Sequence, residues 1–255
     1  MIDYDVRDGV AELRFNNGPV NAITEPFLDA LLAALDRARQ DDTVRTVILA
    51  SAIPGRFCAG LDLPAFLRGT PADAHRMVGK IYVRISEAQS ALGKPSIAAV
   101  GGAARGAGMS IAITCDMILA AEHATFGYPE IDVGLLPAIH FHHLPRIVGR
   151  HRAFDLLFTG RSFDAAEAVS LGLVNRQVPA ERLMEEARAT AGVLAAKSPA
   201  LMRLGKAAFL RAAAAGYREG AESAVDLVSA VFGTEDCREG LTAFAEKRRP
   251  AWTGR

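Results

Sequence analysis

Residues 94–137 read KPSIAAVGGAARGAGMSIAITCDMILAAEHATFGYPEIDVGLLP, and this stretch decides the fold class. Pro95 opens an apolar run of strand length, Ser96–Val100, and a glycine and alanine run over 101–108 then feeds a helix-like segment at 109–115. Met117–Ala121 is the next strand candidate. Strands that alternate with helices predict an α/β core with largely parallel pairing. The longest apolar run, 111–121, is broken by Asp116 and falls short of the roughly 18 to 20 residues that a bilayer span needs.

Toward the N-terminus, residues 2–6 and 10–15 read as a hairpin around Arg7-Asp8-Gly9, ended by Asn16-Asn17-Gly18-Pro19. Phe27, Leu28, Leu31, Leu32 and Leu35 recur at helical spacing, and polar Gln40-Asp41-Asp42 separates them from a strand-length run at 44–50. The order is β-β-α-β. A loop of small residues over 51–62 and a long helix over 72–92 complete this half. Toward the C-terminus the pattern changes at about Asp164 to successive helices, with a strand-like interruption at 173–178 and breaks at Ser198-Pro199 and Gly216. The alanine-rich stretch 207–215 is ordinary helix-favouring composition.

The chain has 255 residues, 29 basic and 29 acidic. A formally neutral chain lacks the cationic excess of a dedicated nucleic-acid binder or a basic membrane-surface protein, so a small-molecule partner is expected. Hydrophobic residues make up 50% and charged ones 23%, a profile that can bury a large core and is unlike that of disordered chains. Cys58, Cys115 and Cys237 are widely spaced, without any CxxC pair, and suggest neither a disulfide framework nor a zinc site. The opening MIDYDVRDGVAELRF has acidic residues and no apolar h-region, so a cytoplasmic location is expected.

Two segments carry backbone chemistry: Arg56-Phe57-Cys58-Ala59-Gly60-Leu61-Asp62-Leu63 and Gly101-Gly102-Ala103-Ala104-Arg105-Gly106-Ala107-Gly108. With side chains nearly absent, a ligand can approach main-chain N–H groups that suit an anion or a developing oxyanion. The plainer reading is tight strand-to-helix packing. Neither segment contains GxxxxGK[ST] or GxGxxG, so phosphate cradling by those loops is unsupported. Downstream, Glu130 is a carboxylate in the apolar, glycine- and proline-punctuated stretch 125–137. Partial burial would raise its pKa and suit it to moving a proton, whereas an exposed or ion-paired glutamate is the ordinary alternative.

Taken together, Asn17-Gly18-Pro19-Val20-Asn21-Ala22, FCAGLDL at 57–63, KPSIAAVGG at 94–102, CDMILAAEHATFGYPEIDVGLLP at 115–137 and the terminal EKRRPAWTGR resemble the crotonase superfamily, the enoyl-CoA hydratase and isomerase family. The resemblance implies an α/β spiral of β-β-α units over residues 1–195 and a helical C-terminal region, 196–255, that packs between subunits in a trimer or a dimer of trimers. It implies an acyl-CoA substrate whose thioester carbonyl sits between the backbone N–H groups of Ala59 and Ala107 while an enolate forms. Preset donors of this kind are typically worth roughly 3 to 4 kcal/mol each in the transition state. The family more often has glycine at the position of Ala107.

The carboxylates depart from the hydratase pattern of two glutamates. One falls on Glu130; the other falls on Ser110, whose hydroxyl is too weakly basic to deprotonate water unaided. One glutamate suffices for the family's double-bond isomerases, so isomerisation, or atypical hydration, is expected over standard hydration. Ala138-Ile139-His140-Phe141-His142-His143 replaces a glycine-rich stretch, and His140 is the candidate to supply a missing acid or base, the plainer reading being packing or surface histidines beside the pocket. The three histidines lack a metal-site spacing on one helical face.

For coenzyme A, the resemblance points to Ala59, Gly60 and Leu61 around the adenine, with Asp62 bracing that loop and Lys247 and Arg248 near the phosphates. No separate metal or redox cofactor is implied, because coenzyme A arrives with the substrate. Two rivals remain: an acyl-CoA-binding protein without chemistry, and a thioester hydrolase built on Ser110, for which the sequence offers neither GxSxG nor an assignable histidine.

Overall fold

The computed structural model describes residues 1–214 and 234–255; Ala215 and the break expected at Gly216 lie outside them. The hairpin forms as β1 (Ile2–Arg7) and β2 (Val10–Phe15), antiparallel with Arg7 opposite Val10. Its two turn residues, Asp8 and Gly9, both have positive φ, the backbone twist that suits a two-residue hairpin. After β3 (Ala22–Ile23) comes α1 (Glu25–Gln40). Thr24 caps its N-terminus, Pro26 lies in its first turn, and Phe27, Leu28, Leu31 and Leu35 bury one face. β4 (Thr46–Ser51) then pairs parallel with β2.

The expected loop at 51–62 instead contains two short strands, β5 (Gly55–Cys58) and β6 (Gly60–Leu61). Their partners lie far along the chain or behind it, so local pattern carries no trace of them. Asp62 caps α2 (Leu63–Leu67), its carboxylate accepting from the Ala65 N–H at 2.9 Å. The single helix expected over 72–92 is α3 (Pro71–Gly79), a π turn (Lys80–Arg84) and α4 (Ile85–Ala91) in succession.

β7 (Ser96–Val100), β8 (Gly102–Arg105) and α5 (Ala107–Ile113) follow, so the glycine run holds a strand and the helix begins two residues before 109. Next come β9 (Met117–Ala121), β10 (Thr125–Gly127) and a 3-10 turn, Pro129–Val133. Successive helices begin earlier than Asp164, with α6 (His140–Val148) and α7 (Arg150–Thr159). β11 (Ser162–Asp164), α8 (Ala165–Ser170) and β12 (Arg176–Val178) precede α9 (Leu183–Ala195), α10 (Pro199–Ala214) and a last helix, Glu235–Ala245. The strand at 173–178 is thus confined to its last three residues.

Two sheets organise these pieces. The larger has the order β1-β2-β4-β7-β9-β12 and the smaller β11-β10-β8-β5, while β3 and β6 pair alone. Beyond the hairpin, the larger sheet is parallel throughout. Each of β4, β7 and β9 is followed directly by a strand of the smaller sheet, β5, β8 and β10, before the chain turns helical. This repeat is the β-β-α unit. It places the ends of β5 and β8 side by side, so the two small-residue segments meet. Gly102 makes the crossing possible: a Cβ there would lie 2.0 Å from the Gly55 carbonyl carbon. Val47, Ile48, Leu49, Ile97 and Ala98 are fully buried in the larger sheet. No helix among the described residues is long and apolar enough to cross a membrane.

Candidate active site

The two small-residue segments come into contact at their glycines. Gly60 has φ +89, and a Cβ on it would lie 2.9 Å from the Arg105 carbonyl oxygen and 3.5 Å from the Ala107 nitrogen. A Cβ on Gly108 would lie 2.5 Å from the Cys58 carbonyl oxygen. Only glycine permits this approach of one backbone to another. Ala59, Gly60, Leu61, Gly106, Ala107 and Glu130 all line one cavity of about 210 Å³, most of whose wall is apolar.

Glu130 reaches that cavity from the 3-10 turn after β10, a turn opened by Pro129. Its carboxylate lies over Gly106, where a Cβ would come within 2.7 Å of Oε1. Oε2 is buried and has no hydrogen-bond partner among the described residues. Burial raises the carboxyl pKa above its ordinary value, and the residue's own backbone N–H offsets this in part. The group is therefore a carboxyl held in an apolar wall without a counter-ion, the setting of a proton carrier.

The two amides expected to stand free differ. Ala107, the first residue of α5, has an N–H with no acceptor among the described residues. The Ala59 N–H donates to the Val20 carbonyl at 3.1 Å. The expectation of two open donors is corrected here: pairing of β6 with β3 draws residues 59–62 alongside 20–23, and the neighbouring Asp62 N–H likewise binds the Ile23 carbonyl.

Ser110 and His140 are also placed differently from expectation. No histidine is assignable to Ser110 from sequence, yet Ser110 Oγ and His140 Nε2 lie 3.0 Å apart, joining α5 to α6. Neither residue lines the cavity. His140 is fully buried against the ring of Tyr128, centroid to centroid 4.5 Å, and its Nδ1 has no partner among the described residues. Burial, with His143 adding to it, pulls its pKa down to about 3, so the imidazole is neutral. A role for His140 as the cavity's missing acid or base is thereby corrected. His142 faces outward to Arg146, and no group of three or more His, Cys, Asp or Glu among the described residues is placed to hold a metal.

The residues expected near coenzyme A are dispersed. Ala59, Gly60 and Leu61 line the cavity; Asp62 is engaged as the cap of α2. Arg248 binds both carboxylate oxygens of Glu239 and one of Glu246, so its guanidinium is neutralised within the chain. Lys247 is exposed at φ 55. Neither lines the cavity. Sequence reasoning missed Tyr82, on the π turn, and Asp132, two residues past Glu130, both of which do. A phenol amid the apolar pattern of 72–92 was the available signal.

Comparison with known proteins gives a consistent picture. A family model described as enoyl-CoA hydratase/isomerase matches residues 5–255. The chain is 36% identical over 258 residues to a probable enoyl-CoA hydratase of Mycobacterium bovis, covering all of this chain and 98% of that protein. It is 37% identical over 249 residues to a probable mitochondrial enoyl-CoA hydratase of Arabidopsis thaliana, covering 96% and 82%. Among solved structures, the enoyl-CoA hydratase of Bacillus anthracis superposes with a TM-score of 0.95 at 32% identity, over 100% of this chain and 99% of that one.

Proposed function

The chain belongs to the enoyl-CoA hydratase/isomerase family, the crotonase superfamily, and is an enzyme of that family acting on acyl-CoA; from this premise we propose that it moves a carbon–carbon double bond in an enoyl-CoA thioester, with Glu130 as its single proton carrier. The observation that carries the proposal is the Glu130 carboxylate, unpartnered at Oε2 among the described residues, in the same cavity wall as the open Ala107 N–H; Asp132, the other carboxylate of that wall, is exposed. Ionised Glu130 takes a proton from the α-carbon of a 3-enoyl thioester. The electron pair shifts to the carbonyl oxygen, where the Ala107 N–H meets the growing charge. Collapse of that enolate takes the same proton back at the γ-carbon, leaving the 2-enoyl thioester.

Standard hydration needs a second group to hold and deprotonate water. Ser110 stands where that group is expected, and its hydroxyl is engaged by a neutral histidine away from the cavity lining. This favours isomerisation over hydration, although relatives carry the name hydratase. The same Ser110–His140 contact is the one observation that favours a thioester hydrolase. It does so weakly, since among the described residues no group orients the histidine's Nδ1 and neither member lines the cavity.

No metal or redox group enters this scheme, and coenzyme A arrives with the substrate. Association into trimers or pairs of trimers fits the exposed row of stacked rings Phe141, Phe158 and Phe154 on α6 and α7. The test is product analysis after incubation with 3-hexenoyl-CoA and 2-hexenoyl-CoA in deuterated water. Interconversion of the two with label in the acyl chain is expected; rapid accumulation of 3-hydroxyhexanoyl-CoA in place of the isomer would overturn the proposal.

A further inference from the structure

A second cavity, of about 150 Å³, opens at the opposite end of the larger sheet. From the C-terminal ends of β4 and β7 the chain runs on to the segments that meet at Gly60 and Ala107. The second cavity is lined by Val44, Arg45 and Lys94, which lead into the N-terminal ends of the same two strands. No residue lines both cavities.

The wall of this second cavity carries five cations, Arg39, Arg45, Lys94, Lys197 and Arg203, against one carboxylate, Asp42. On a chain whose 29 basic and 29 acidic residues cancel, such a surplus is local. Arg39 is engaged by Asp36 at 2.7 Å. Lys94 gives its ammonium hydrogens to the carbonyls of Ala38, Arg39 and Asp41, at 2.5 to 3.1 Å, and so closes α1 with a charge that no carboxylate contacts. Burial pulls its pKa down, and Arg45 and Arg39 pull the same way against Asp41 and Asp42, so these cations stand in one another's field. Two of the arginines are steadied by glycine. A Cβ on Gly9 would lie 3.2 Å from Cγ of Arg45, and one on Gly93 would lie 3.4 Å from Cγ of Arg203. Each stem thus crosses bare backbone, which limits where its guanidinium can go before any ligand arrives. Among the described residues, neither guanidinium nor the Lys197 ammonium has a hydrogen-bond or ion-pair partner. Like charges gathered over the buried side chains of Val44 and Leu92 repel one another, and an anion in the cavity would relieve that repulsion.

We propose that this cavity is a second ligand site, apart from the chemistry, that takes a small molecule by its pyrophosphate group: Arg45, Lys197 and Arg203 bind the phosphate oxygens, and Lys94 adds its charge from behind. A guanidinium can bind two phosphate oxygens side by side. Three free cations exceed the charge of one phosphate group, about 1.5 to 2 at neutral pH, and suit two groups in a row. Free diphosphate and a nucleoside diphosphate both offer that pair.

The test is calorimetric titration with sodium orthophosphate, sodium pyrophosphate and ADP at low and high KCl. The proteins are the parent, Lys197→Gln and the triple variant Arg45→Gln, Lys197→Gln, Arg203→Gln, with Tm followed for each. The parent is expected to bind pyrophosphate about tenfold more tightly than orthophosphate and to weaken as salt rises. Lys197→Gln, at an exposed position, should weaken pyrophosphate about threefold, and the triple variant about thirtyfold. ADP bound more tightly than pyrophosphate identifies a nucleotide as the source of the group, and pyrophosphate bound alone identifies the free anion; both uphold the site. Equal binding of orthophosphate and pyrophosphate by the parent, or no binding of pyrophosphate at millimolar concentration, overturns the inference. So does undiminished pyrophosphate binding in the triple variant or, should that variant fail to fold, in Lys197→Gln.

Discussion

Glu130 is a half-buried carboxyl without a counter-ion among the described residues, a placement that costs the fold when the group is charged. Because burial raises its pKa in the native state, native protein holds that proton more tightly than unfolded chain does. The resulting stability is complete below the unfolded carboxyl pKa and is lost as pH rises through the native one. At neutral pH the charged form therefore weakens the fold. Glu130→Gln is expected to raise Tm by a few degrees at pH 7 and by nothing measurable near pH 4, as checked by calorimetry at the two pH values. Equal gains at both would show that charge is not the cause. Glu130 was legible in sequence, as a carboxylate in an apolar run. The pairing of the Ala59 N–H with Val20 was not, because it depends on a two-residue ladder between segments 38 residues apart, Ala22 opposite Gly60.

At the scale of elements, α5 and α6 are joined through the buried Ser110–His140 contact. Sequence shows three histidines in four residues without showing which turns inward; the choice is made by the packing of α6, which seals His140 against Tyr128 and leaves His142 outside. With a native pKa of about 3 against an ordinary 6.5 or so, the unfolded chain binds a proton that the native chain refuses. Stability is thus complete above about pH 6.5 and falls as pH drops toward the native value. The parent is expected to lose roughly 1.4 kcal/mol between pH 7.5 and 5.5 through this group. His140→Gln should remove that slope in urea unfolding, and an unchanged slope would contradict the burial. The short strands β5, β6 and β10 were illegible for a different reason: runs of two to four residues hold no period, and their existence is decided by the partner strand.

Across the whole molecule, the larger sheet was legible because its inner strands are buried on both faces and so read as continuous apolar runs. A surface that an assembly would cover is not legible in that way, since it looks like any other exposed one. Phe154 is 62% exposed and stacked on Phe158 at 4.3 Å, an apolar face that a second copy would cover. If the proposed association uses this face, Phe154→Asp with Phe158→Asp is expected to give a smaller mass than the parent in light scattering; an unchanged mass would contradict a role for this face in association. The central claim is that a lone carboxyl carries the proton, and the rate of 3-hexenoyl-CoA isomerisation by Glu130→Gln tests it most directly. A fall in kcat of about a thousandfold, with thioester binding kept, is the expected result; turnover within tenfold of the parent would contradict it.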